Sequence, residues 1–157
     1  MEEKATFAAG CFWGVEDRFM KLPGVLKTRV GYTGGTVKKP TYEMVCGGGT
    51  GHKEAVEVVF DPGQLSYEKL LHAFWEMHDP TTANRQGLDV GEQYHSVIFY
   101  HTDEQKDAAE KSKQSLQELG VYKSPIMTDV VPAGEFHEAE GYHQKYVQKH
   151  GAGSCPA

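Results

Sequence analysis

Cysteine is scarce: three residues in a chain of 157. Cys11, Cys46 and Cys155 form an odd and widely spread set, unlike the paired framework that staples small secreted domains. There is no CxxC pair and no HExxH. The eight histidines do not make up for this, since His72 and His78 stand six apart, as do His137 and His143. That spacing does not align two ligands on one helical face, so no metal centre is expected. Positive charge is also in short supply. Sixteen Lys and Arg against 22 Asp and Glu leave a net charge of −6, which argues against nucleic acid or an anionic membrane as partner. No apolar run approaches the ~20 residues of a membrane span. The opening MEEKATFAAG is acidic and lacks the basic and apolar regions of a signal peptide. A cytoplasmic monomer is expected, folded as one domain over residues 1–157, with 151–157 as a flexible cysteine-bearing tail.

What is present reads as alternating strands and helices. Residues 6–9 form a short extended segment broken by Gly10, and 12–20 carry Phe12, Val15 and Phe19 at helical spacing. Leu22-Pro23-Gly24 ends that helix. Strands are expected at 25–32 and at 54–60, the second stopped by Asp61-Pro62-Gly63. Ser66-x-x-Lys69 opens an apolar-periodic helix that runs towards His78-Asp79-Pro80. A strand at 96–100, a polar-faced helix at 103–119 closed by Gly120, a strand at 127–131 and a short helix at 142–150 complete the pattern. The first six elements match a split βαβ arrangement. The fold class expected is α+β, a two-layer sandwich with a ferredoxin-like core and an irregular C-terminal tail.

Cys11 stands where the first strand meets the first helix. Unpaired backbone N–H groups and the positive end of the helix dipole favour a thiolate there. Phe12 and Trp13 follow it and would supply an apolar surface. The same features suit a packed core cysteine, so position alone leaves both readings open. Two polar, glycine-rich stretches, within 31–58 and at 79–96, are too long to be simple connections. They supply Tyr42, His52, Glu54, Asp89 and Tyr94, the side-chain types that donate hydrogen bonds or protons to a polarised oxygen.

The motifs GCFWG, GYTGG, PTYEMVCGGGTGHKEAV, FDP and DPTTANRQGLDVGEQYHS, with a cysteine in a glycine-rich tail, resemble the A-type peptide-methionine sulfoxide reductases over about residues 5–150. The resemblance implies reduction of the S epimer of methionine sulfoxide, free or in proteins, as a repair of oxidative damage. By motif, Cys11 would be the nucleophile that attacks the sulfoxide sulfur, and Phe12 and Trp13 would hold the substrate methyl group. Glu54 would protonate the sulfoxide oxygen, Tyr42 and Tyr94 would bind it, and Asp89 would organise that site. The chemistry is coherent. A sulfoxide oxygen leaves poorly until protonated, and phenolic hydroxyls stabilise the charge that develops on it.

Attack would leave Cys11 as a sulfenic acid, which Cys155 would condense into a disulfide reopened by thioredoxin or another dithiol. No flavin, nicotinamide or metal signature is present, so no cofactor is expected. Cys46 is a rival second thiol whose simpler reading is a packed or inert residue, and a structural hydrogen-bonding role suits His52. His95 stands where an arginine often follows the tyrosine, and Gly48-Gly49 thicken the glycine run. The alternative enzyme class is a cysteine hydrolase or acyl-transferase pairing Cys11 with His52 or His95. It would not lose thiols on turnover with a sulfoxide.

Overall fold

A computed structural model describes residues 2–150. Strand β1 (Glu3–Ala8) is followed by helix α1 (Phe12–Met20), β2 (Val25–Thr33), a short α2 (Tyr42–Cys46) and β3 (Lys53–Phe60). Then come α3 (Tyr67–Glu76), a small hairpin of β4 (Arg85–Gln86) and β5 (Asp89–Val90), and β6 (Val97–Tyr100). Helix α4 (Asp103–Leu119), β7 (Asp129–Pro132), β8 (His137–Glu138) and α5 (Tyr146–His150) close the described chain. Six strands form one sheet in the order β7-β6-β1-β3-β2-β8. Its middle, β6-β1-β3-β2, is antiparallel throughout, while β7 adds in parallel to β6 after α4. This is the expected split βαβ core within an α+β two-layer fold.

Local chemistry explains most boundaries. Ser66 accepts from the Lys69 N–H at the start of α3, and Thr102 accepts from the Gln105 N–H at the start of α4. Each satisfies a donor that the first turn leaves open. Gly120 ends α4 in the left-handed conformation. β1 alternates its faces: Ala5 and Phe7 join the larger core with the helices, whereas Ala8 joins Ala55, Val97 and Phe99 on the far side. Phe7 stacks on Phe19, Tyr67 and Phe74 at centroid distances of 5.1, 6.0 and 5.2 Å. That cluster fixes α1 and α3 against the sheet.

The structure departs from the sequence reading after residue 138. In place of one helix over 142–150 there is a 3-10 turn, Gly141–His143, and then α5. Lys145 breaks the run with φ of 55°. Its backbone N–H donates to the fully buried carboxylate of Glu16 on α1 at 2.6 Å, and Thr28 Oγ1 donates to the same carboxylate at 2.8 Å. Gln144 bridges to β2: its Oε1 accepts from the Val30 N–H and its Nε2 donates to the Val30 carbonyl, both at 2.9 Å. Residues 139–150 are therefore a strap bound to α1 and β2 by buried polar contacts. Among the described residues no helix is long and apolar enough to cross a membrane.

Candidate active site

The end of β1 and the start of α1 deliver Cys11. Gly10 turns the chain with φ of 101°, and a Cβ there would lie 2.8 Å from Cγ of Gln86. Only glycine meets both demands. Cys11 is the N-cap residue of α1 and is partly exposed. The next residue, Phe12, donates its backbone N–H to Oε1 of Glu54 at 3.3 Å. Glu54 is 2% exposed and comes from the central strand β3. A buried carboxyl thus sits at the helix terminus one residue from the thiol.

Tyr42 opens α2, where the Thr41 side chain accepts from the Met44 N–H. Tyr94 lies in a 3-10 turn, Glu92–Tyr94, after the β4–β5 hairpin. Burial, then the negative charge of Glu54, pushes both phenols to higher pKa. They stay protonated donors at neutral pH. The Tyr94 phenol also senses Cys11, Cys46 and Asp89. On β5, Asp89 has a buried Oδ2 without a hydrogen-bond partner among the described residues, and burial raises its pKa. The two separate glycine-rich stretches therefore converge on Glu54.

Phe12 is buried against Tyr32 and His143, at 5.7 and 5.2 Å between centroids. Trp13 remains half-buried. Its indole lies parallel to Tyr146 with centroids 3.8 Å apart, and its Nε1 donates to His143 Nδ1 at 2.9 Å. Burial lowers the pKa of His143, which favours the neutral ring that this acceptor role requires. Glu140 completes the wall. One carboxylate oxygen accepts from the Tyr32 hydroxyl at 3.0 Å and the other from the Tyr42 N–H at 3.1 Å.

Glu140, His143 and Tyr146 escape sequence reasoning because they belong to the irregular strap and act on residues about a hundred positions away. Cys46 is not packed inside. It is exposed on α2, where partial burial of its thiol raises the pKa and the nearby Tyr42 and Gln93 side chains oppose that rise. His52 has a structural place, accepting from the Gly35 N–H at Nδ1 and bonding the Val37 carbonyl through Nε2. His95 likewise spends both ring nitrogens, on the Asn84 N–H and on Asp129. The histidine base required by a cysteine hydrolase is thus committed elsewhere in both cases. Cys155 lies outside the described residues.

A sequence model described as "Peptide methionine sulfoxide reductase" matches residues 3–157. The chain belongs to the peptide methionine sulfoxide reductase family. It is 61% identical over 149 residues to the MsrA of Methanosarcina acetivorans, covering 95% of this chain and 79% of that protein. Reduced Mxr1 from Saccharomyces cerevisiae has the same fold with a TM-score of 0.91 and 35% identity, covering 99% of this chain and 90% of that one. Mxr1 in complex with Trx2 aligns with a TM-score of 0.65 and 24% identity, over 92% and 84% of the two chains. The family resemblance of the motifs and the split βαβ topology are both borne out.

Proposed function

We propose that this protein reduces the S epimer of methionine sulfoxide, free and within polypeptides, with Cys11 as nucleophile. The observation that carries the reading is the contact between the Phe12 N–H and the Glu54 carboxyl at 3.3 Å. It supports a proton transfer from Glu54 next to Cys11, the preceding residue. Cys11 attacks the sulfoxide sulfur from the helix terminus, where dipole and open N–H groups favour the thiolate. Glu54 delivers a proton to the sulfoxide oxygen as the S–O bond breaks, and the Tyr42 and Tyr94 hydroxyls stabilise that oxygen. Asp89 helps to organise that oxygen-binding site. The Phe12 ring and the Trp13 indole, braced by His143 and Tyr146, form the surface for the methyl group.

This step gives a Cys11–sulfonium; the hydroxide released attacks the Cys11 sulfur, the S–S bond breaks, and methionine leaves with Cys11 as a sulfenic acid. The Cys155 thiol then attacks the sulfenic sulfur, forming a disulfide and releasing water. A dithiol of the thioredoxin class reopens it by exchange, returning two thiols and taking the disulfide with it. Support for that partner comes from Mxr1, which has been solved both in reduced form and in complex with Trx2. A reducing, cytoplasmic setting fits a chain that depends on such exchange.

Single-turnover assays on both sulfoxide epimers test the scheme. Cys11→Ser should form no methionine. Cys155→Ser should form about one methionine per chain and then stall, because the sulfenic acid has no partner thiol. Sustained turnover of Cys155→Ser with thioredoxin, or equal rates on the two epimers, would overturn the corresponding step.

A further inference from the structure

The loop over 47–52 joins the helix that carries Tyr42 to the strand that carries Glu54, and the catalytic scheme gives it no task. Thr50 and His52 pack inward, but the stretch 47–49 has no side chain of its own to hold it. Gly49 and Gly51 have φ of 84° and 76°, and nothing lies within 4 Å of a Cβ placed on Gly49. Glycine serves there for the path of the backbone, not to make room. That path aims two N–H groups at one acceptor. Oε1 of Glu92 accepts from the Gly49 N–H at 2.8 Å and from the Gly51 N–H at 3.2 Å. Convergent amides of this kind form a concave seat for an anion. The two donors, Gly51 first, hold the Glu92 carboxyl below the usual glutamate range, and Lys53 adds a smaller pull in the same direction.

Glu92 opens the 3-10 turn that ends at Tyr94. We propose that Glu92 is a positioning residue for sulfoxide reduction: seated on the Gly49 and Gly51 N–H groups, it locks the turn bearing Tyr94 to the loop between Tyr42 and Glu54, and so fixes the spacing of the three groups that meet the sulfoxide oxygen. The inference rests on the reading of those three as the oxygen's partners, and it adds what holds them in register. The turn has two fastenings. At its far end His95 spends its ring nitrogens on the Asn84 N–H and on Asp129, which ties the turn to the frame. At its start Glu92 ties it to the site itself, across 43 and 41 positions of sequence. A hydrogen bond to a carboxylate is roughly twice as strong as a neutral one, so one carboxylate oxygen on two amides is a firm link for so small a contact. Stabilisation of the developing charge depends on donors placed in advance, and a displacement of about 1 Å can cost about 10² in rate. Loss of the link therefore acts on rate through Tyr94 and spares the binding of the methyl group at Phe12 and Trp13.

Single-turnover kinetics on the S epimer test the link. Glu92→Ala should slow methionine formation by about tenfold, with half-saturation by sulfoxide unchanged within about threefold. In a Tyr94→Phe background the same substitution should slow the reaction by less than about twofold further, since the group it positions is already gone. Equal slowing with and without the Tyr94 hydroxyl would make Glu92 a general support of the fold and overturn the proposal. An unchanged rate in Glu92→Ala overturns it too, as does a rise in half-saturation without loss of rate. A second readout needs no activity. Hydrogen exchange of the Gly49 and Gly51 amides should quicken by about tenfold in Glu92→Ala and stay unchanged in Tyr94→Phe. Unchanged exchange in Glu92→Ala removes the seat and the proposal with it. The two possible failures are separable. If Tyr94→Phe alone leaves methionine formation unchanged, the reading of Tyr94 as a partner of the oxygen fails and takes the positioning role with it. A slow Tyr94→Phe beside a fast Glu92→Ala sinks the positioning role alone.

Discussion

Glu16 and Glu54 are both buried glutamates in contact with α1, and their surroundings differ. Glu16 projects from the helix and is enclosed by donors that belong to the frame: the Thr28 hydroxyl and the Lys145 N–H. Glu54 approaches the helix terminus from β3 and has for neighbours an N–H beside Cys11 and two phenols from separate loops. A buried carboxylate surrounded by fixed donors stabilises a structure. In the proposed reaction, the same group set beside Cys11 and protonated phenols exchanges a proton. Burial alone does not tell the two apart; the identity of the surrounding groups does.

The contrast can be broken experimentally. The largest effect is expected from Glu54→Gln, which keeps the hydrogen-bond shape but removes the transferable proton. The rate of methionine formation should fall by about 10² to 10⁴, with urea unfolding nearly unchanged; a variant that loses stability and keeps its rate would reverse the roles. Glu16→Ala should do the opposite. Leaving the Thr28 and Lys145 donors buried without an acceptor should cost about 3 kcal/mol in urea unfolding, while the single-turnover rate of the folded protein changes by less than about tenfold. A stability loss below about 0.5 kcal/mol would remove Glu16 from the frame.

His78 offers a smaller handle on the same distinction, since it too is enclosed by structural partners. It bonds the Phe74 carbonyl and Ser96 Oγ, both at 2.7 Å, and burial pushes its pKa down to about 4. The unfolded chain takes up this proton near pH 6.5 and the folded one only near 4. The contribution is therefore fully present above about pH 6.5 and is lost as pH falls towards 4, by on the order of 3 kcal/mol. Comparing urea midpoints of the unsubstituted chain and His78→Gln from pH 7 to 4.5 isolates it; an identical pH slope in both would remove His78 as the cause. The smallest effect is expected from Tyr94→Phe, a loss of about tenfold in methionine formation, because Tyr42 still addresses the same oxygen. A double Tyr42→Phe, Tyr94→Phe variant no slower than either single one would show that the phenols do not share that task.

Legibility in the sequence followed the range of the forces involved. The helix over 12–20 and the helix over 103–119 could be read to the residue, since apolar spacing in the first, and a polar face closed by a glycine in the second, are local signals. α2 was hidden because five residues hold too little periodicity, and β8 because its two residues pair with Gly31 and Tyr32 from the other end of the chain. Of the site, Cys11, Phe12, Trp13, Tyr42, Glu54, Asp89 and Tyr94 were marked by motif. The brace of Glu140, His143 and Tyr146 was not, because it exists only once the strap has closed over α1. Lys145 shows why: a helical pattern there yields to a buried acceptor 129 positions away.

Gln144 has a consequence of another kind. An outer strand with bare N–H and C=O groups is a template on which a second molecule can extend the sheet. On the β2 side, β8 covers Gly31 and Tyr32, and at Val30 the Gln144 amide takes both backbone positions in the manner of one more peptide unit. Gln144, with the Ala139 N–H on the same carbonyl, thus extends the cover of β2 by one residue beyond β8, so that cross-molecule pairing at Val30 meets an occupied border.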